Sequence, residues 1–356
     1  MTSRHRALIA ALVLTVGLVV GGCSSSSGSR NAAGASASLS ESDLNEFCAP
    51  PRENDGKSGF ATVRNIVTCF VFVNEAKKFS APNTLGAKVP LTVTKALCSS
   101  GTTSPCVYNS GYYGTIRDEG TGSVYGNRVL TPNPFTGLAA IQFMPNKIWQ
   151  GTENRVLVNS SDAPFTLQQT AAQPYFENPS SGTNGGDCDT QGSFIGCSID
   201  NGSWQRNGTE QRPRYTFFTK PMRITISNSL GFPMSLQSPA SAGRGFLLDP
   251  VAQGGVSSIA PGAQAFVGGY RSTNSADEQS WTASYCVEWK SPTAGPKCVP
   301  VDITVKVAWV EADKKWVNQS QCSVQNREQG FTAKCDTPTM NDSDTDRIVS
   351  VNIKNF

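Results

Sequence analysis

Side chains that could carry acid–base or nucleophilic chemistry are scarce in this sequence. His5 is the only histidine among the 356 residues, so the chain that follows it contains no Ser-His-Asp or Cys-His catalytic unit and no histidine metal ligand. The sequence also lacks a Gly-x-Ser-x-Gly elbow, a Gly-x-x-x-x-Gly-Lys phosphate loop and a Ser-x-x-Lys motif. Catalysis would therefore have to use carboxylates, a lysine or a tyrosine.

Paired carboxylates are the main remaining catalytic route, because glycoside hydrolysis needs one acid to protonate the leaving group and another to attack or to activate water. Asp118 and Glu119 are the best local pair. Adjacent residues on a strand point to opposite faces, which favours a solvated turn over a catalytic pair. The sequence therefore predicts a protein that is not an enzyme.

A second acidic group has the opening spacing of a calcium-binding loop. Asp342, Asp344 and Asp346 alternate along the chain, but Arg347 replaces the required glycine and Ile353 the bidentate glutamate. A zinc site is disfavoured because the sequence has no Cys-x-x-Cys pair. We expect a solvent-exposed turn at residues 342–346, and we expect the protein to hold neither a metal ion nor another cofactor.

Aromatic residues in polar, glycine-rich segments are better candidates for a binding site. They are Tyr112, Tyr113 and Tyr125, together with Trp204. Amphipathic aromatic side chains dominate binding hot spots, and such rings can stack on sugars or enter a partner's pocket. The alternative, that these rings cap the core, stays open.

The elements that must position these residues are mainly strands. One short helix is predicted near residues 41–47, while β-branched, aromatic or alternating apolar residues predict strands at 66–73, 89–94, 281–289, 301–309 and 348–353. Gly, Ser, Thr, Asn and Pro interrupt the chain about every ten residues. The sequence predicts an all-β protein, with one or more disulfide-braced antiparallel β-sandwiches and long Gly/Ser-rich loops.

Two β regions are expected, an N-terminal region at 42–148 and a C-terminal β-sandwich region at 149–356. Within the second, residues 155–168 resemble residues 223–237 with one inserted residue, and both segments have the pattern strand, polar turn, proline, strand. Two explanations stay open for this internal repeat. It is either an old duplication or the shared patterning of two β-hairpins.

The cysteines predict disulfides. Of eleven cysteines, ten lie beyond residue 23, and an even number in an exported chain indicates disulfide bonds. Neighbouring cysteines along the chain suggest five pairs: Cys48 with Cys69, Cys98 with Cys106, Cys188 with Cys197, Cys286 with Cys298, and Cys322 with Cys335.

The first 23 residues have the three parts of a secretory signal, with Arg4 and Arg6, an uncharged apolar run over 7–20, and a small-residue site. Residues 18–23, Leu-Val-Val-Gly-Gly-Cys, resemble the lipobox of bacterial lipoproteins. That resemblance implies cleavage after residue 22 and a diacylglycerol on Cys23, which would hold the protein at the cell membrane on its extracytoplasmic side.

The segment that follows Cys23 is rich in Ser, Gly and Ala up to residue 41, and it predicts a flexible linker with a reach of about 20–25 Å. Removal of residues 1–22 takes away two arginines and no acid, so the formal charge falls from +3 to +1. A formal charge this close to zero argues against nucleic acid as a partner, because nucleic-acid binding needs a basic surface.

Residues 223–289 are similar in outline to the core of aegerolysin and actinoporin-like β-sandwiches. The similarity lies in residues 224–236, in Ile259-Ala260-Pro261-Gly262 leading into Phe266, and in a Gly-containing loop before Tyr285. It implies a module that binds membranes or lipids and takes part in pores.

The preferred hypothesis is a membrane-anchored envelope lipoprotein with a non-catalytic binding or structural role, whose partner is an envelope glycan, a lipid or a protein. Two alternatives remain, a carboxylate-based glycan hydrolase and a membrane-active, pore-associated β-sandwich module.

Overall fold

The computed structural model describes residues 39–48, 67–100, 104–109, 126–130, 134–144, 152–160, 162, 165, 169–176, 186–189, 194–200, 204–205, 210–274, 278–291, 295–326, 330–343 and 346–356. All of them belong to one compact unit. The structure is all-β apart from one short helix, which confirms the predicted fold class.

The helix α1 spans Glu41–Phe47, as predicted. A capping box begins it, because the Ser40 hydroxyl accepts a hydrogen bond from Asp43 N at 3.2 Å and the Asp43 carboxylate accepts one from Ser40 N at 2.8 Å. A disulfide between Cys48 and Cys69 then joins the end of the helix to the first strand.

The first β-sandwich is built from fourteen strands among the described residues. In chain order they are β1 (Val67–Asn74), β2 (Lys77–Ala81), β3 (Thr84–Lys88), β4 (Thr92–Ser100), β5 (Ser104–Asn109), β6 (Gly126–Leu130), β7 (Leu138–Met144), β8 (Thr152–Asn159), β9 (Gln169–Phe176), β10 (Gly186–Asp189), β11 (Ile195–Asp200), β12 (Trp204–Gln205), β13 (Glu210–Gln211) and β14 (Arg214–Thr219).

These strands form two sheets and a separate β2–β3 hairpin. Sheet A has the order β6-β7-β1-β14-β11; β13 also pairs with β1, and β12 pairs with β13. Sheet B has the order β5-β4-β8-β9-β10. Strands from both sides of residue 148 pair in both sheets, since β1 pairs with β14 and β4 with β8. Phe70, Phe72 and Tyr215 of sheet A and Val158 of sheet B are buried in one core.

The second β-sandwich contains the remaining strands. They are β15 (Pro221–Ser229), β16 (Met234–Leu236), β17 (Ser241–Ala242), β18 (Phe246–Gly254), β19 (Ser258–Ile259), β20 (Gln264–Arg271), β21 (Gln279–Ser291), β22 (Gly295–Val310), β23 (Lys315–Asn318), β24 (Gln321–Val324), β25 (Ala333–Cys335), β26 (Thr339–Asp342) and β27 (Arg347–Asn355).

Here too the strands form two sheets that share a core. Sheet C has the order β18-β20-β15-β27-β25 with β26 on β27, and sheet D has the order β19-β16-β21-β22-β23 with β17 on β21 and β24 on β22. Burial alternates along β22 and β27, as expected for strands with one buried and one wet face. Inward residues of both sheets, such as Ile224 and Val301, meet in a single apolar cluster.

The two sandwiches share several strand pairings. In each, the first strand lies parallel to the last strand, β1 to β14 and β15 to β27. In each, the first strand also pairs with an antiparallel neighbour, β7 or β20. A disulfide joins corresponding sheets in both sandwiches, Cys188–Cys197 from sheet B to sheet A and Cys322–Cys335 from sheet D to sheet C.

A buried asparagine ends the first strand of each sandwich. Asn74 is 2 % exposed, and its amide donates to Val89 O at 2.7 Å and to Phe135 O at 3.0 Å. Asn228 is 1 % exposed, and its amide donates to Phe232 O and Ile259 O, both at 2.9 Å. These side chains hold the chain where it leaves one sheet.

The interpretation of residues 223–237 as a β-hairpin is wrong, because β15 and β16 belong to opposite sheets. The Asn228 contacts turn the chain across the core instead of back along the same sheet. The repeated segments nevertheless share a local structure. Ser160 Oγ accepts from Asp162 N at 3.2 Å and Asn228 Oδ1 accepts from Leu230 N at 3.1 Å, each at the end of a strand.

Four of the five predicted disulfides are confirmed: Cys48–Cys69, Cys188–Cys197, Cys286–Cys298 and Cys322–Cys335. Cys98 and Cys106 lie directly opposite each other in the register of β4 and β5, and their side chains lie outside the described part of the structure.

The β2–β3 hairpin packs between the two sandwiches. The ring of Tyr270 of β20 packs at a tilt against Phe79 and Phe165, with ring centroids 5.7 and 4.7 Å away. Its hydroxyl accepts a hydrogen bond from Phe79 N and donates one to the buried Asp249 carboxylate at 2.6 Å. Burial, followed by the hydrogen bond to Asp249, raises the pKa of Tyr270 far above its ordinary value, so this hydroxyl stays neutral and can donate.

Candidate functional site

The aromatic residues proposed from the sequence lie mostly outside the described part of the chain. Tyr112, Tyr113 and Tyr125 fall there, as does the lipidation candidate Cys23. Trp204 begins β12, and its backbone is paired with Gln211. Whether these residues form a binding surface stays a prediction.

The acidic residues singled out in the sequence bind arginines where the structure describes them. Asp342 accepts two hydrogen bonds from Arg347, from Nε and Nη2, both at 2.8 Å. Asp346 forms an ion pair with Arg223. Within the described residues no group of three or more His, Cys, Asp or Glu side chains is placed to hold a metal ion, while Asp118, Glu119 and Asp344 lie outside them.

Arg347 is the centre of a buried polar cluster at one end of the second core. It follows the inward alternation of β27 and is fully buried. Besides the two bonds to Asp342, its Nη1 donates to Gln279, a residue of β21 that is 1 % exposed. Arg271 of β20 donates from Nη1 to Asp342 Oδ1 at 3.2 Å. Four strands are therefore joined through two guanidinium groups, one carboxylate and one side-chain amide.

This cluster supports a pair of tryptophans. The Arg347 guanidinium carbon lies 4.7 Å from the centre of the Trp316 ring, a distance typical of a cation–π contact. Trp316 of β23 lies opposite Trp309 of β22 in the strand register. The two rings meet edge to face, with centroids 5.6 Å apart and an interplanar angle of 66°, an arrangement that aromatic pairs prefer.

The turn between β22 and β23 adds polar groups to the tryptophans. The Trp309 indole N–H donates to Glu311 Oε2 at 2.7 Å, and Glu311 Oε1 forms an ion pair with Lys314. Lys314 has a φ of 50°, in the left-handed region that a four-residue hairpin turn often needs. We call Trp309, Glu311, Lys314 and Trp316 the hairpin aromatic site.

The two tryptophans differ in their relation to the core. Trp316 packs against the apolar cluster of the second sandwich, whereas Trp309 is not part of that cluster. Both are partly exposed. The indole N–H of Trp309 donates to Glu311, which is 72 % exposed, so the polar edge of the Trp309 ring lies at the protein surface.

The site is suited to binding rather than to proton transfer. The Glu311 carboxylate already accepts from Trp309 and Lys314, and the neighbouring Arg347 guanidinium is held by Asp342 and Gln279. What remains is an oriented aromatic surface with a hydrogen-bond acceptor beside it. Sequence reasoning overlooked this pair, although the alternation that ends at Trp309 and the short turn before Trp316 were visible in the sequence.

Within the described part of the chain, two polar groups on the inner face of β21 have no hydrogen-bond partner. They are the Trp281 indole N–H and the Tyr285 hydroxyl, both fully buried. Burial raises the pKa of Tyr285 above its ordinary value, so its hydroxyl is neutral. Apolar side chains surround both residues, which places them in the core and not in the hairpin aromatic site.

Across the part of the chain that the structure describes, no helix has the length and apolar character needed to span a membrane. No protein-family model, curated protein or solved structure matches the chain.

Proposed function

We propose that this chain is a lipid-anchored protein of the bacterial cell envelope with a non-catalytic binding role. The lipobox-like segment that ends at Cys23 supports the anchor, and the disulfide bonds support an oxidising compartment outside the cytoplasm. The short linker would keep the folded unit within about 20–25 Å of the membrane.

The hairpin aromatic site is the observation that carries the binding role. Binding surfaces concentrate their affinity in a few rigid aromatic residues with polar neighbours, and Trp309 with Glu311 has this composition on the scaffold of the second sandwich. The charged groups near it are bound to one another, as Arg347 is to Asp342, which supports a structural role for them over a catalytic one.

Anchoring is tested by comparing the full chain with its Cys23→Ala variant in a bacterial host. We expect the full chain to fractionate with membranes and to incorporate an alkynyl palmitate analogue, and the variant to do neither. Equal labelling of the two chains would remove the lipid anchor from the proposal.

Binding is tested with the detergent-solubilised full chain, by cross-linking pull-down from envelope extracts and by a glycan array. A reproducible ligand or partner is expected. Release of reducing sugar from envelope glycans by the same preparation would instead support the hydrolase, and leakage from liposomes would support the membrane-active module.

A further inference from the structure

We propose that the hairpin aromatic site binds an uncharged pyranose ring of a glycan, with Trp309 as the stacking surface and Glu311 as the adjacent hydrogen-bond acceptor. This inference rests on the proposed function, because it names the ligand class of the same binding role.

The first support is the partial exposure of Trp309. In the edge-to-face pair, Trp316 covers at most one face of Trp309. Arg347 lies over the ring of Trp316, and Trp309 takes no part in the apolar core cluster. Trp309 is partly exposed, so part of its indole ring is accessible to a ligand, and its amphipathic character matches the apolar face and polar rim of a sugar ring.

The second support is the acceptor beside the ring. Glu311 uses one oxygen for the Trp309 N–H and the other for Lys314. A carboxylate has about four lone-pair positions, so Glu311 retains acceptor positions for sugar hydroxyls at the edge of the stacking surface. Lys314, an ammonium with three donors, lies on the same turn and is 69 % exposed.

The third support is rigidity. Trp309 is held by its hydrogen bond to Glu311 and its contact with Trp316. Trp316 is in turn contacted by Arg347, whose guanidinium is bound by the buried Gln279 and by the more exposed Asp342. Binding to a surface that is already ordered avoids part of the entropy loss that opposes association. A weak sugar contact can therefore yield measurable affinity.

The charges of the turn decide against an acidic ligand. Glu311 pairs with Lys314, and Asp313 pairs with Lys315 at 3.4 Å. The turn is electrically balanced and all four charged side chains lie at the surface, so it has no excess positive charge to attract a polyanion. We therefore assign the site to uncharged glycans and not to uronic-acid polymers.

The test is isothermal titration of the detergent-solubilised full chain with chitohexaose as the uncharged probe and hexagalacturonate as the acidic probe. We expect chitohexaose to bind and hexagalacturonate to bind at least about tenfold more weakly. Trp309→Ala should reduce chitohexaose affinity about tenfold, which corresponds to about 1.4 kcal/mol, and Trp309→Phe should reduce it less. The matched control is Phe356→Ala, which removes an exposed aromatic ring beside Lys334 and should leave the affinity unchanged.

A second measurement covers the case in which Trp309→Ala does not fold. In the wild-type chain labelled with 5-fluorotryptophan, chitohexaose should shift the ¹⁹F resonance of Trp309, assigned through Trp309→Phe, and not that of the buried Trp281. If chitohexaose binds but shifts the ¹⁹F resonances of other tryptophans and not that of Trp309, the assignment of the sugar site to Trp309 is overturned.

Absence of chitohexaose binding, or a preference for hexagalacturonate, would overturn the ligand class. The proposed function has a separate readout, since a protein or lipid captured through another surface would uphold the binding role while the sugar inference fails.

Discussion

The buried asparagine at the end of β15 should be among the most sensitive positions of the second sandwich. Asn228→Ala removes an acceptor for Leu230 N and a donor to the carbonyls of Phe232 and Ile259. A buried polar group left without a partner costs about 1–3 kcal/mol, and two of these contacts are fully buried. We expect the free energy of unfolding to fall by about 3 kcal/mol.

The assay is equilibrium unfolding in urea, followed by circular dichroism. With a slope near the upper end of the usual range, about 3 kcal/mol per molar, the midpoint should fall by about 1 M and the slope should not change. Asn74→Ala should produce a loss of similar size, because Asn74 has the same contacts in the first sandwich.

The control is Asn83→Ala on the exposed turn between β2 and β3, which loses one contact to Arg223 and should change stability by about 0.5 kcal/mol or less. If Asn228→Ala proved no more harmful than Asn83→Ala, the view that these asparagines hold the chain between sheets would be refuted.

Three further expectations concern other parts of the protein. Under increasing reductant, Cys286–Cys298 should open before Cys48–Cys69, because Cys298 is exposed whereas Cys48 and Cys69 are fully buried; differential alkylation with mass spectrometry measures the order, and simultaneous opening would contradict it. Gly269→Ala should destabilise the second sandwich by about 1–3 kcal/mol, because a Cβ there would lie 2.3 Å from Leu247 O; a thermal midpoint equal to that of the wild type would show that β20 can move away. The pKa of Asp336 should lie below 3.8 because Lys354 and Asn352 bind its carboxylate. The stabilisation from the Asp336–Lys354 contact is fully present at pH values above 3.8 and is lost as the pH falls through the lowered pKa. Lys354→Ala should raise the pKa of Asp336 in an NMR titration, and an unchanged pKa would exclude Lys354 as the cause.

Local features of the fold were predictable because their causes are local. The helix at 41–47 follows from its capping residues, and the strands at 281–289 and 301–309 follow from alternation of apolar and polar side chains. The disulfides were predictable for a similar reason, since each confirmed pair joins neighbouring cysteines no more than 21 residues apart.

The binding site was less accessible from the sequence. Trp309 and Trp316 are separated by a short turn, so their cross-strand contact follows from hairpin geometry. The contact of Arg347 with Trp316 does not follow from hairpin geometry, because Arg347 lies 31 residues after Trp316 and is held by Gln279 from another strand.

The sequence by itself determined the all-β class, the helix, the strands at 66–73, 281–289, 301–309 and 348–353, and four neighbouring disulfides, because local patterns specify them. Only the tertiary structure decided that β1 lies parallel to β14 and β15 to β27, that β15 and β16 cross between sheets, and that Arg347 is buried in the core. The physical reason is that the parallel partners of β1 and β15 are distant in the chain, and that Arg347 is buried against Gln279, 68 residues before it, as well as against the nearby Asp342. No local pattern specifies which distant groups those are.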